Sequence, residues 1–464
     1  MTEVAGAAAP LLGSDGLLEA LTRALRDAPA DEAELWVHRR RAAVTRYSHS
    51  SIHQNAVSDE IHVQARTAVG RAVGIASGNS LEEGALRRLL GDAAALAREQ
   101  RPNERWPGLS EPAPCPPAHA YDAATASAGP MEQAALVSAV CDAASRRGFR
   151  AAGTCAIDVT EDAVANTHGV ALHAPCTVAH LRALVQSDVG SGYAENLGWR
   201  LDALDAADVA ARASDKCARD RDRSSLGPGD YEAVFEELAV AEILRIVSIT
   251  GLSGELVLED RSFLSGRTGE AVTGERFTLH DDARDPRMAG IPFDVEGTPK
   301  RRVTAVERGR AVGPVHDRYS AARAGTSSTG HAADPRRYPP GGHAGNLVME
   351  GGSATRDELI GSVTRGILIT RFHYTNTPDP KSAAMTGTTR DGTFLIEDGR
   401  VVAALPNLRY TMSALDLFAG IELLGPQRLA RDWWSSNGMG SIVCLVPPMK
   451  VSRATITGAS PLSA

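Results

Sequence analysis

The sequence predicts an α+β protein: an N-terminal α/β domain followed by a C-terminal domain rich in antiparallel and mixed β-sheet, barrel-like in form. Three observations carry that expectation. The first half mixes amphipathic helices with strands of period two, whereas the second half carries many short strands and few helices. The 464 residues exceed one typical core, so two or three domains are expected. Hydrophobic content of 43% and charged content of 23% are ordinary for folded chains and exclude a disordered one.

Composition narrows the functional classes. A net charge of −8 argues against a broad nucleic-acid footprint. No apolar run is long enough to cross a membrane, and Met1 to Pro10 lacks the basic-then-apolar pattern of a secretory signal. The six cysteines, Cys115, Cys141, Cys155, Cys176, Cys217 and Cys444, show no CxxC pairing. Scattered thiols of this kind suit a reducing compartment, so a cytoplasmic location is expected.

In chain order, Asp15 to Ala28 spaces leucines as an amphipathic helix. Glu34–His38, Ala42–Tyr47, Ile61–Thr67 and Arg71–Ala76 read as short strands, and Leu81–Glu99 as a helix. Arg101–Pro117, dense in proline, reads as a surface linker, within a linker region of about 101–130. Met131–Arg147 is a helix, Ala151–Val159, Ala163–Asn166 and Cys176–Val189 are strands, and Gly190-Ser191-Gly192 is a glycine break. Asp202–Arg219 is an Ala-rich helix, and the boundary falls after it, giving domains 1–225 and 226–464.

The second domain opens with a turn, Gly227-Pro228-Gly229-Asp230, a strand, Tyr231–Phe235, and a helix from Glu236 to Thr250. A hairpin at 301–312, a long polar loop at 325–345 and a strand at 347–350 follow. Ser353–Thr364 reads as a helix capped by Ser353, and Gly366–Tyr374 as an apolar strand. Met385–Val402 contains Asp391-Gly392 and Asp398-Gly399, read as two hairpin turns of a meander. Leu415–Leu424 is a helix, and 441–446 and 454–457 are closing strands.

Chemistry-bearing groups are sparse. Glu236, Glu237 and Glu242 read as a solvated acidic face, since unpaired glutamate is almost never buried. Cys444, inside Ile442–Val446, reads as a buried strand thiol. His316, Asp317, His331, His343 and His373 lack helical ligand spacing and make a weak metal candidate. The sequence contains no Gly-x-Ser-x-Gly elbow, P-loop or dinucleotide fingerprint.

Several blocks together point further: Arg46–Asn55 (R-Y-S-H-S-S-I-H-Q-N), Ser262–Glu270 (S-F-L-S-G-R-T-G-E), Asp281-Asp282, Ser327–Gly330, Glu358–Arg371 and Thr386–Gly399. The combination closely resembles the TldD/PmbA (TldD/TldE) family, over most of the chain from about Leu35 to Gly458. In that family the active subunits carry a zinc-binding HExxxH in the helix and a Cys near the C-terminus. Counting back from Ser262 places the two His positions on Arg245 and Thr250, the Glu position on Ile246, and the Cys position near Asn437-Gly438. None of these residues suits a catalytic zinc, which needs three N, S or O ligands and an open position.

The resemblance therefore implies the PmbA/TldE branch, a chain with no catalytic or metal residues of its own. Its implied partner is a TldD-like subunit bearing the zinc, in a heterodimer whose chamber holds an extended peptide. No cofactor is expected in this chain, and neither nucleic acid nor membrane is an expected partner. Arg46, His53, Gln54, Asn55, Thr386, Gly387 and Thr388 are the candidates for lining a substrate groove, with 385–390 expected as an exposed sheet edge. Two other readings stand beside this one: a metal-free peptide-binding or assembly protein, and an independent amide hydrolase with its own site.

Overall fold

The computed structural model describes residues 11–436 and 442–459. Helix α1 (Ser14–Leu25) precedes strands β1 (Glu32–Ser48) and β2 (Ser51–Val69), which pair antiparallel along almost their full lengths. Where the sequence suggests two short strands, β1 is continuous, because the charges in its middle find partners on adjacent strands. Arg39 pairs with Asp59 and Glu161, and Arg40 with Asp158. Next come β3 (Ala72–Gly78), α2 (Glu83–Glu99), α3 (Ala123–Ser127) and α4 (Pro130–Arg146). Strands β4 (Arg150–Asn166), β5 (Ala171–Gln186) and β6 (Ser191–Gly198) and helix α5 (Ala206–Arg219) complete this part.

The six strands form one antiparallel sheet in the order β3-β2-β1-β4-β5-β6. Helices cover one of its faces in two patches. Leu17, Leu21, Leu86 and Leu90 from α1 and α2 pack on Leu35, Val37 and Val63. Val137, Val140, Val209 and Ala213 from α4 and α5 pack on Cys155, Leu181 and Val185. The expected glycine break at 190–192 in fact opens β6. Gly192 lets α5 lie directly on the strand, since a Cβ there would stand 2.1 Å from the Ala213 carbonyl oxygen. The proline-rich stretch is not free surface either. Leu109 and Ser110 are buried, and Arg318 donates to the Pro107 and Gly108 carbonyls, so the stretch fastens the two parts together.

The second part begins with β7 (Gly229–Phe235), α6 (Glu237–Gly251) and α7 (Gly254–Leu258). Short strands β8 (Leu279–Asp281), β9 (Val303–Glu307) and β10 (Arg310–Ala311) lead to α8 (Arg318–Ala324), β11 (Asn346–Met349) and α9 (Arg356–Gly361). Helix α9 starts later than expected, because Thr355 and Glu358 form a reciprocal cap that Ser353 does not. The long strands β12 (Arg365–Asp379) and β13 (Ala384–Glu397) precede β14 (Arg400–Ala404) and β15 (Leu408–Ser413). Then come α10 (Ala414–Ala419), β16 (Ile421–Leu424), β17 (Arg428–Ala430), α11 (Trp433–Ser436), β18 (Val443–Val446) and β19 (Met449–Ala459).

Strands β12, β7, β19, β15 and β13 pair in succession, and β13 pairs back to β12, so this sheet closes on itself. The barrel-like expectation is met by that ring. Asp391-Gly392 is not a hairpin turn: it lies inside β13 as an irregularity, with φ of 53° and 128°, and only Asp398-Gly399 turns the chain. A second sheet runs β10-β9-β8-β11-β18-β17. Between the two sheets lies α6, and its apolar run from Leu238 to Val247 is buried nearly all round. Among the described residues no helix is long and apolar enough to cross a membrane.

Candidate functional site

Helix α6 is the structural centre of the second part, and its few polar side chains define the candidate site. Arg245 reaches Glu242 on its own helix, Nε to Oε1 at 3.6 Å, and Asp432 before α11, Nε to Oδ1 at 3.5 Å. It also donates to the Thr375 carbonyl at 3.2 Å and lies 5.6 Å from the Trp434 ring centre. Glu242 is 1% exposed and accepts from the Trp433 backbone N–H at 3.0 Å. Burial, aided by the nearby Asp432 and opposed by Arg245, pushes the Glu242 carboxyl up to about 7. Asp432 is likewise pushed up by burial while it caps the turn into α11 through the Trp434 and Ser435 N–H groups. A guanidinium therefore sits between two buried carboxylates.

The neighbouring positions are equally committed. Ile246 is fully buried in the core, and the Thr250 hydroxyl bonds back to the Ile246 carbonyl at 2.6 Å. These residues do not fit a zinc ion. Arginine offers only donors, isoleucine offers nothing, and the threonine oxygen is turned into its own helix. The expected cysteine position near 437–438 lies outside the described residues.

The three glutamates of this helix are not a solvated face. Glu236 pairs with Lys216 at 2.6 Å and Arg356 at 3.3 Å, and Glu237 pairs with Arg212 at 2.7 Å. All three glutamates are buried, because cations on α5, α9 and α6 itself meet them. A single stretch of sequence shows the acids and hides those cations.

A second group of charges joins the two parts beside α6. Tyr193 on β6 donates to Glu195 at 2.7 Å, and His180 on β5 lies 3.4 Å from the same carboxylate. Burial works to raise Glu195, yet His180, Tyr193 and Arg182 hold it down at about 2. Arg371 on β12 stacks 4.3 Å over the Tyr193 ring and pairs with Asp391, which accepts from Ser191 at 2.9 Å. The cavity enclosed by Tyr193, Glu195, Glu242, Arg371 and Trp433 measures about 20 Å³. Among the described residues that is room for a water at most, and the charges around it join the two parts.

The expected groove residues are not brought together. Thr386, Gly387 and Thr388 are interior to the ring, paired with β12 on one side and β15 on the other. They form no free edge, which corrects the expectation from the sequence. Gly387 is required by the Tyr410 hydroxyl: a Cβ would stand 2.7 Å from it and 3.1 Å from the His373 carbonyl oxygen. Arg46, His53, Gln54 and Asn55 lie instead at the tip of the β1–β2 hairpin, in the other sheet. His49 and Ser50 make the turn with φ of 50° and 57°.

The tip residues also part from one another. Arg46 pairs with Gln54 and Tyr47 with Ile52, which leaves His53 as the extra residue of a bulge. Arg46 and Gln54 share a sheet face with Thr154 and Arg182. Asn55 faces the opposite way, donating to Thr45 at 2.7 Å, which in turn bonds Gln133 on α4.

The histidines and Asp317 serve local structure. His331 bonds Asp281 at 2.8 Å, His316 bonds Ser320 at 3.1 Å, and Asp317 caps α8. His343 stacks on Tyr338, and His373 meets Trp433 edge-on. Cys444 is fully buried and its thiol is raised by burial, as expected of a strand thiol. The residues that sequence reasoning missed are Asp432, Trp433 and Trp434. A capping Asp before a Trp-Trp pair was the available signal.

Comparison with known proteins gives concordant matches. The profile described as the PmbA/TldA metallopeptidase C-terminal domain matches residues 228–458. A metalloprotease TldD homolog of Haemophilus influenzae is 26% identical over 176 residues, 38% of this chain and 36% of that protein. Another TldD homolog, from Buchnera aphidicola, is 26% identical over 219 residues, 45% of this chain and 44% of its own length. The matched stretches thus span less than half of these curated relatives. Among solved structures, TldE from Thermococcus kodakarensis superposes with a TM-score of 0.85 at 21% identity, over 95% of this chain and 100% of that one. At that identity the likeness is one of fold.

Proposed function

Because the chain belongs to the PmbA/TldD metallopeptidase family, we propose that it is the PmbA/TldE-type subunit that carries no catalytic zinc. It pairs with a TldD-like, zinc-bearing subunit and helps to form the chamber in which an extended peptide is cut. The carrying observation is Arg245, whose guanidinium lies between Glu242 and Asp432 on the helix where the active subunits hold their metal. A permanent cation offsets one of the two buried carboxyls there and burial raises both toward their protonated forms, so the scaffold stands without a metal ion. The TldE-like fold supports the same reading. The partner supplies the zinc and its hydrolytic chemistry, and the residues of this chain hold the walls.

The test is co-expression with a relative that bears HExxxH, followed by zinc analysis and peptide cleavage by each chain and by the pair. The expected result is co-purification, zinc in the relative alone, and cleavage that needs both. Stoichiometric zinc in this chain purified by itself, or cleavage by it alone, would overturn the reading.

A further inference from the structure

We propose that the aromatic cluster where β12 meets α11, together with Arg390 on β13, is a side-chain subsite for the substrate peptide, taking an aromatic residue with a carboxylate two positions along. The peptide as occupant rests on the peptidase-subunit reading; the cluster and its charge do not. β12 shifts register against β13 between His373 and Asn376, and Tyr374 stands in that irregularity with φ of 57°. A left-handed backbone is strained for a bulky residue, and its effect here is to redirect the ring. Regular alternation would carry Tyr374 inward with the buried Phe372. Instead Thr375 takes the inward place, its hydroxyl bonded to that of Tyr410 at 2.7 Å, and Tyr374 is 61% exposed.

The redirected ring joins a closed circuit of four. Ring centres lie 6.4 Å apart from Tyr374 to Trp434, 5.1 Å from Trp434 to Trp433, 5.3 Å from Trp433 to His373 and 6.0 Å from His373 back to Tyr374. An exposed tyrosine backed in this way offers contact area at little cost in conformational entropy. Charge then selects the occupant. Burial, with Arg390 and Arg371 adding to it, holds His373 down at about 4, so its ring is neutral at physiological pH. Asp391 is engaged by Arg371 and accepts from Ser191 at 2.9 Å. Arg390 approaches the same carboxylate only to 3.8 Å, its side chain is 36% exposed, and its Nη1 lies 3.5 Å from His373 Nε2. The accessible guanidinium thus adjoins the ring next to Tyr374, and on the far side Arg245 lies 5.6 Å from the Trp434 ring centre. Two guanidinium groups beside the circuit disfavour a cation and favour a carboxylate. Residues i and i+2 of an extended peptide lie on one face about 7 Å apart, a spacing that sets a ring on Tyr374 and a carboxylate on Arg390.

The test uses the isolated full chain and the unlabelled peptide acetyl-Gly-Ser-Phe-Ser-Glu-Ser-Gly-amide, with binding read by ligand-observed NMR titration. One control peptide carries alanine in place of phenylalanine, the other lysine in place of glutamate. The probe is expected to bind saturably, and each control at least fivefold more weakly. Tyr374→Asn removes the ring and keeps a residue that tolerates the left-handed backbone; Tyr374→Gly serves at the same position if the first variant melts below the parent. Either is expected to abolish the preference for phenylalanine over alanine. Arg390→Gln is expected to abolish the preference for glutamate over lysine while keeping that for phenylalanine.

Three results would each overturn the inference: equal binding of the three peptides, unchanged preferences in the variants, or a Tyr374 variant that keeps probe affinity yet no longer co-purifies with the zinc-bearing relative. The last would assign the cluster to the contact between subunits. The peptide titrations involve neither zinc nor the relative, so their failure is distinct from failure of the subunit assignment.

Discussion

The core around α6 and the outer half of β2 use the same raw materials in opposite ways. Around α6, backbone groups are consumed by a sheet closed on itself, and buried charges are matched: Glu236 by Lys216, Glu237 by Arg212, and Glu242 and Asp432 by Arg245. Along β2 from Ser51 to His62, the backbone is paired on one side only, and the residues from Ser51 to Glu60 are exposed. The first arrangement fixes one conformation and leaves little inside it to bind. The second forgoes stabilisation and leaves its outward hydrogen-bonding groups without strand partners among the described residues. The closed ring also shows why 386–388 failed as a docking edge: its hydrogen bonds were already made.

The sharpest way to break this contrast is Arg245→Met. It leaves two buried carboxylates without their cation, and a loss of about 3–5 kcal/mol in unfolding free energy is expected. Chemical denaturation measures it; a loss below 1 kcal/mol would mean that the guanidinium is not what balances the pair. Next in size is the pH response of Glu242. Its carboxyl stands near 7 in the folded chain against 4.5 when free, so the folded state holds the proton more tightly. Its stabilising contribution is complete below about 4.5 and is lost as pH rises through 7. Relative to Glu242→Gln, the parent should therefore lose stability between these values, and parallel curves would contradict the assignment.

Gly387→Val comes third. Its side chain would collide with the Tyr410 hydroxyl and the His373 carbonyl, and overpacking of this kind costs about 1–3 kcal/mol. A thermal melt reads it directly; a parent-like melting temperature together with lost peptide turnover would instead point to a groove-lining role for this strand. The smallest effect belongs to the edge. Val57→Thr exchanges an exposed side chain on a half-paired strand and should shift stability by no more than about 0.5 kcal/mol. A larger shift would show that β2 is covered in solution.

Much of this was legible in the residues themselves. The family blocks at 46–55, 262–270 and 386–399 located the fold, and the count back from Ser262 put Arg245, Ile246 and Thr250 on the central helix. What could not be read was pairing at long range. β1 looked like two strands because Arg39 and Arg40 interrupt its apolar pattern, and their partners Asp59, Asp158 and Glu161 lie on other strands. Glu236, Glu237 and Glu242 looked solvated for the same reason.

The sequence by itself determined that Arg245, Ile246 and Thr250 stand on α6, three side chains that no packing can turn into a zinc-ligand set. Only the tertiary structure decided what Arg245 does there, because Asp432 lies far along the chain from Glu242 and meets it only when α6 is enclosed between the two sheets. Likewise only the sheet topology decided which strand keeps a free edge. Local residues set whether a segment can be a strand, but hydrogen-bond partners supplied by distant segments set whether that strand has anything left to offer.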